Sequence, residues 1–117
     1  MYLESPGFIP GCEVKKTMLI FPLKKEWYDK IKSGEKTIEY REVKEYWQTR
    51  FYNETGFFPE QTQIIKPIPC KLRLGYTSKY LRACISKIEV VNGKNTDLKI
   101  DKPVYAIHLV DVRESCK

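Results

Sequence analysis

The sequence predicts a small α+β domain, a mixed β-barrel with two or three flanking helices. Three observations carry that expectation. The chain has 117 residues of which 42% are hydrophobic, enough for one buried core and too few for two domains. Apolar residues recur at helical spacing in two short stretches of the first half. The second half instead holds long segments rich in β-branched residues, punctuated by Gly and Pro.

Taken in order, residues 1–16 carry Pro6, Gly7, Pro10 and Gly11 without periodicity and read as an extended N-terminal arm, which leaves residues 17–117 as the domain. Met18 to Leu23 is a short apolar strand. A helix follows from about Lys25 to Ser33, with Trp27, Tyr28 and Ile31 on one stripe, a Glu26–Lys30 pair one turn apart and Gly34 as a left-handed C-cap. Lys36 to Arg41 alternates as a half-buried strand. Glu42 to Asn53 carries Val43, Tyr46, Trp47 and Phe51 at helical spacing, and Thr55-Gly56 ends it. Phe57 to Pro69 reads as a loop too apolar to stand in water. Strands are expected over Lys71–Tyr76, Leu81–Val91 and Val104–Val112, with Asn92-Gly93 as a turn. In the middle one the apolar phase switches between Ile85 and Ile88, which predicts a bulge near Ser86. The last is apolar on both faces, as suits a central strand of a closed barrel.

No apolar run approaches the roughly 18 residues of a membrane span, and the first residues lack a signal-peptide pattern, so no membrane association and a cytoplasmic location are expected. The cysteines at 12, 70, 84 and 116 include no C-x-x-C pair, and His108 is the sole histidine. No metal site and no cofactor are expected from such a set. The thiols read as reduced, and His108, among apolar neighbours, as a satisfied core histidine.

Charge is more informative. The surplus of +6 sits in one segment: Gln61 to Ile88 holds Lys66, Lys71, Arg73, Lys79, Arg82 and Lys87, with no Asp or Glu and with Tyr76 and Tyr80 interleaved. Cations among aromatics suit phosphates with stacked bases; a basic edge that prevents sheet pairing is the plainer reading. The lack of acids there disfavours metal-dependent cleavage.

The densest chemistry lies in Gly34-Glu35-Lys36-Thr37-Ile38-Glu39-Tyr40-Arg41, which has the form G-x-K-x-x-E-x-R. Strand alternation puts Thr37, Glu39 and Arg41 on one face, so an acid stands beside a guanidinium and together they offer acceptors and donors to one ligand. Lys36 falls on the other face, and reaches the same pocket only if it precedes the regular strand or adjoins a bulge. An ion-pair cluster tying helix to sheet would use the same residues.

This motif, after a short amphipathic helix, resembles the hallmark of the activating-signal-cointegrator homology (ASCH) domain of the PUA-like superfamily. Leu19–Leu23, Trp47–Arg50, Arg73-Leu74-Gly75-Tyr76 and Tyr105–Val112 resemble further segments of that family. The resemblance implies a PUA-like barrel and a family that includes inferred RNA binders, nucleases and amidohydrolases of acetylated cytidine. In those amidohydrolases a Lys is followed three positions later by a nucleophilic Thr, with a Glu from a distant strand. Lys36 matches the Lys, but Glu39 occupies the Thr position and cannot replace an acyl-forming hydroxyl; Glu89 is a candidate for the distant carboxylate.

The expectation is recognition of RNA, preferably single-stranded, or of a nucleotide-like ligand by a monomer or weak oligomer. Lys36, Glu39, Arg41 and Tyr76 would form the cleft, Arg50 could lean over it, and Arg73, Lys79, Arg82 and Lys87 would track phosphates. Trp27 and Trp47 read as core residues, with base stacking as the alternative. A hydrolase, either ribonuclease or modified-nucleoside amidohydrolase, with Lys36 and Glu39 as catalytic groups is the second reading. A protein-partner module in transcription regulation is the third.

Overall fold

The structure, a computed structural model, describes residues 18–114; the expected arm at 1–16 lies outside them. Alternating apolar residues form β1 (Leu19–Leu23), whose Leu19, Phe21 and Leu23 are buried. Pro22 sits in the same strand, at a sheet edge, where a missing N–H costs little. The helical stripe follows as α1 (Lys25–Lys32), with Tyr28 and Ile31 inward. Its surface pair is Lys25 with Asp29, at 2.7 Å, while Lys30 instead lies over the Trp27 ring. Gly34, at φ 88°, takes the left-handed turn that reverses the chain, and the Lys36 amide then donates back to the Lys30 carbonyl.

Next come β2 (Ile38–Glu42), α2 (Glu45–Thr55), β3 (Ile68–Leu74), β4 (Tyr80–Asn92) and β5 (Pro103–Glu114). They form one five-stranded sheet in the order β1-β3-β4-β5-β2, antiparallel except for the β1–β3 pair. β5 lies between β4 and β2, which accounts for its two apolar faces. The closed barrel expected from that feature is not formed by the described residues: β1 and β2 remain edges, and the sheet is a half-barrel. The edges nonetheless approach, since the Arg41 guanidinium of β2 donates through Nη2 to the Pro22 carbonyl of β1 at 2.8 Å.

The sheet curls because β4 is irregular. Its pairing with β5 shifts between Ile85 and Lys87, at the expected Ser86, and again between Arg82 and Cys84, opposite Asp111 with its positive φ of 54°. The concave side is filled by Phe21, Trp47, Phe51 and Tyr105, whose rings contact in series at 4.8, 5.9 and 4.8 Å between centroids, the first two pairs stacked and the last edge-to-face. Within the 57–69 loop, Ile64 is buried and bridges Ile88, so the segment covers β4.

Two sequence readings are corrected here. His108 is half-buried on the sheet, with Nε2 2.8 Å from a Glu89 carboxylate oxygen, because on the β4 side it stands opposite Lys87, with Glu89 two residues on, although its β2 neighbour is Ile38. Cys70 is free and buried, but Cys84 is disulfide-bonded.

The Asn92-Gly93 signal marks a turn, though a longer one than a tight hairpin. Asn92 accepts from the Lys94 amide and starts a 3-10 turn over Gly93–Asn95, and the connection continues to Lys102, whose carbonyl accepts from the Gly93 amide. A Cβ on Gly93 would stand 2.7 Å from Val104 Cγ1 and 2.8 Å from the Ile100 carbonyl oxygen. Overpacking of this kind costs about 1–3 kcal/mol. Gly93→Ala is therefore expected to lower the midpoint of urea unfolding, with a wild-type midpoint showing that the loop yields freely.

Candidate functional site

The motif residues meet where the two edges of the half-barrel face each other. A cavity of about 310 Å³ is lined by Pro22, Leu23 and Lys24 from the β1 end, Trp27 from α1, Lys36, Glu39, Tyr40 and Arg41 from the β2 segment, and Asp97 and Leu98 from the β4–β5 connection. Lys36 lies before the regular strand, as a shared pocket with Glu39 requires. Freed from strict alternation, its ammonium reaches 3.9 Å from Glu39 Oε1, and its side chain is 10% exposed.

That ammonium is held from several sides. It forms an ion pair with Asp97 and lies 5.3 and 5.1 Å from the ring centroids of Trp27 and Tyr40. Both rings present their electron-rich faces to a cation. Glu39, 6% exposed, points to the concave side and accepts from Arg41 Nε at 2.9 Å, with Nη2 of the same guanidinium in ion-pair contact at 2.8 Å. Arg41 in turn lies over the Phe21 and Trp47 rings, which fix the guanidinium plane.

Burial dominates the electrostatics of Glu39. Loss of water pushes its carboxyl above the ordinary range, against the pull of Arg41 and then Lys36 in the other direction. The folded protein thus holds the Glu39 proton more tightly than the unfolded chain does. As pH rises from the ordinary value of 4.5, ionisation of Glu39 subtracts stability. Glu39→Gln, neutral at every pH, is expected to remove that loss: the stability difference between variant and wild type should shift in the variant's favour between about pH 4.5 and 7. A difference that stays level over this range in urea unfolding would contradict a raised carboxyl. The Tyr40 phenol is likewise raised, first by burial and then by Asp97 and Glu89, so it remains an O–H donor.

A second opening of about 280 Å³ lies on the other side of the Lys36–Asp97 pair and is lined by Lys30, Glu35, Thr37 and Ile38 as well. Trp27, Lys36, Tyr40 and Asp97 line both. The pair therefore stands as a partition between two openings.

The other expected site residues lie elsewhere. Arg50 folds over the Tyr46 ring at 3.5 Å and donates to the Tyr46 carbonyl. Lys87 pairs with Glu89, which also accepts from Gln63 and contacts His108. Arg73 and Arg82 are on β3 and β4, with side chains on the outer face, and exposed Lys79 is in the turn between those strands. Tyr76 is in the same turn, 87% exposed, and does not line the cavity; the turn is tied to its rim by the Gly75 amide, which donates to the Leu23 carbonyl at 2.8 Å. Trp47 is core, whereas Trp27 is only half-buried and faces the cavity.

Two site residues were not expected. Tyr40 belongs to the motif, but alternation assigns it to the face opposite Glu39, and only the wrap of Lys36 around the strand edge makes it a neighbour. Asp97 carries no sequence signal: it stands in a polar connection among lysines and asparagines. Comparison with protein-family models, curated proteins and solved structures finds no match.

Proposed function

We propose that this chain recognises a nucleobase or nucleotide, free or within RNA, in the cavity between Trp27, Lys36, Glu39, Tyr40 and Arg41. The observation that carries the reading is a buried carboxylate fixed between an ammonium and a guanidinium, beside two aromatic rings. The lining includes Lys24, Lys36 and Arg41 against Glu39 and Asp97. Such a near-balanced set fits a base edge, which offers donors and acceptors together, better than it fits phosphate alone. Trp27 and Tyr40 add surfaces on which a planar ring can stack. The ASCH resemblance of G-x-K-x-x-E-x-R supports the same reading, and a half-barrel flanked by two helices is compatible with the PUA-like type.

A hydrolase is the second reading, favoured by the Glu39 carboxyl beside Lys36, since a carboxyl whose proton affinity burial has raised above the ordinary range is better suited to take or give a proton. Titration of a labelled short RNA and of single nucleotides, each mixture run on a denaturing gel, separates the two. Wild type and Glu39→Gln binding alike over intact RNA supports recognition. Shortened RNA made by wild type, with the rate reduced about a hundredfold or more in Glu39→Gln, supports the hydrolase. Absence of binding and cleavage alike would overturn both.

A further inference from the structure

The cavity uses little of the positive charge that distinguishes this sequence. The two-residue period of β3 turns Cys70 and Leu72 to the core and leaves Lys71 and Arg73 outside; on β4 the same period leaves Tyr80 and Arg82 outside around buried Leu81. Strand pairing then sets Lys71 directly opposite Arg82, Arg82 opposite Arg113, and Arg73 opposite Tyr80. A row of cations thus crosses three neighbouring strands that are spaced about 4.8 Å apart. Directly opposed like charges destabilise a sheet.

Guarding an edge does not account for this row, because β3, β4 and β5 are interior strands and the edges are β1 and β2. Lys71 Nζ lies 4.5 Å from the Tyr80 ring centroid, so the aromatic sits within the charged field. Arg73 Nε is buried and lacks a hydrogen bond. Beside the row, among the described residues, Asp111 accepts from Arg113 at 2.8 Å. The β3–β4 turn, with exposed Tyr76 and Lys79, continues this face to the cavity rim at Leu23.

We infer that this outer face holds the backbone of a single-stranded nucleic acid, its phosphates over Lys71, Arg82 and Arg113 and its path leading past Tyr80 and Tyr76 to the cavity. The choice of nucleic acid among polyanions rests on the nucleotide reading of the cavity. Aromatics interleaved with cations serve a chain that carries both bases and phosphates, and a single strand exposes base faces that a duplex hides. An acidic polypeptide would meet the charge and leave the rings unused.

The test uses the full chain and a fluorescent ten-nucleotide oligouridylate, with anisotropy followed from about 50 to 200 mM salt. Each phosphate contact to a single strand contributes about 0.7 to the slope of log affinity against log salt. The double variant Lys71→Ala/Arg82→Ala is expected to bind at least about tenfold more weakly with a slope shallower by about 1.4, while affinity for single nucleotides is unchanged. Arg82→Ala alone, at an exposed position, should show half of the slope change and guards against a folding defect. A slope equal to wild type in both variants, no oligonucleotide binding by wild type, or displacement by polyglutamate at equal charge concentration would overturn the proposal. If single nucleotides fail to bind while the slope difference persists, the cavity reading falls and the surface stands.

Discussion

Lys36→Ala is expected to weaken nucleotide binding by roughly ten- to a hundredfold. The ammonium is held among Asp97, Glu39 and the Trp27 and Tyr40 rings. A hydrogen bond from a charged donor contributes about 1.5–3 kcal/mol, and each 1.4 kcal/mol is tenfold in affinity. Its removal also leaves Asp97 without its partner beside Glu39, so two carboxylates then face the same opening and repel an anionic ligand. Lys36→Arg tests the geometry as distinct from the charge. A planar guanidinium keeps the positive charge but cannot take the place of a compact ammonium between two rings, and recovery of only part of the affinity is expected. Titration of single nucleotides with both variants, followed through Trp27 fluorescence, checks this. Wild-type affinity in Lys36→Ala would remove the cavity as the binding site.

The second large effect concerns stability. Arg41→Ala is expected to cost about 3–5 kcal/mol at neutral pH, the range for breaking a buried ion pair from one side. Arg41 supplies a hydrogen bond and the ion pair to the Glu39 carboxylate, and the link from β2 to the Pro22 carbonyl on β1. Without it, Glu39 keeps only Lys36, 3.9 Å away. Two further results identify the cause. Acidification toward pH 4.5 should restore part of the loss, because protonated Glu39 needs no counter-charge. Arg41→Ala/Glu39→Gln should be more stable at pH 7 than Arg41→Ala, a coupling that urea unfolding of the four proteins measures directly. Additive effects would show that Arg41 acts through packing on Phe21 and Trp47 rather than through Glu39.

Local periodicity made most elements legible. The stripe Trp27, Tyr28, Ile31 gave α1, and the alternation around Ile38 and Tyr40 gave β2; the switch of apolar phase after Ile85 located the shift at Ser86. Lys36 was legible as a residue that must precede the strand or adjoin a bulge to share a pocket with Glu39, and the first placement is the one found. What depends on long-range pairing was not. Two apolar faces on β5 reveal an interior strand but say nothing about whether the outermost strands join, and among the described residues they do not. Asp97 enters the site through the length of the β4–β5 connection, which a turn signal at Asn92-Gly93 does not specify. The cation row was half visible: Lys71 and Arg82 lie in the basic segment, but Arg113 lies in a stretch of balanced charge and joins them through strand register alone.

The arrangement of the edges sets an order of events in synthesis. β1, α1 and β2 are neighbours in sequence and carry most of the cavity wall, yet β2 takes its place in the sheet by pairing with β5, the last of the described strands. At ribosomal rates of about 5–20 residues per second, several seconds separate the two. Until β5 emerges, Lys36, Glu39 and Arg41 have no sheet on which to face Pro22 and Asp97. A nascent chain that stops short of β5 therefore carries the complete motif without the assembled cavity, and capture of a ligand there would mark chains that extend through β5.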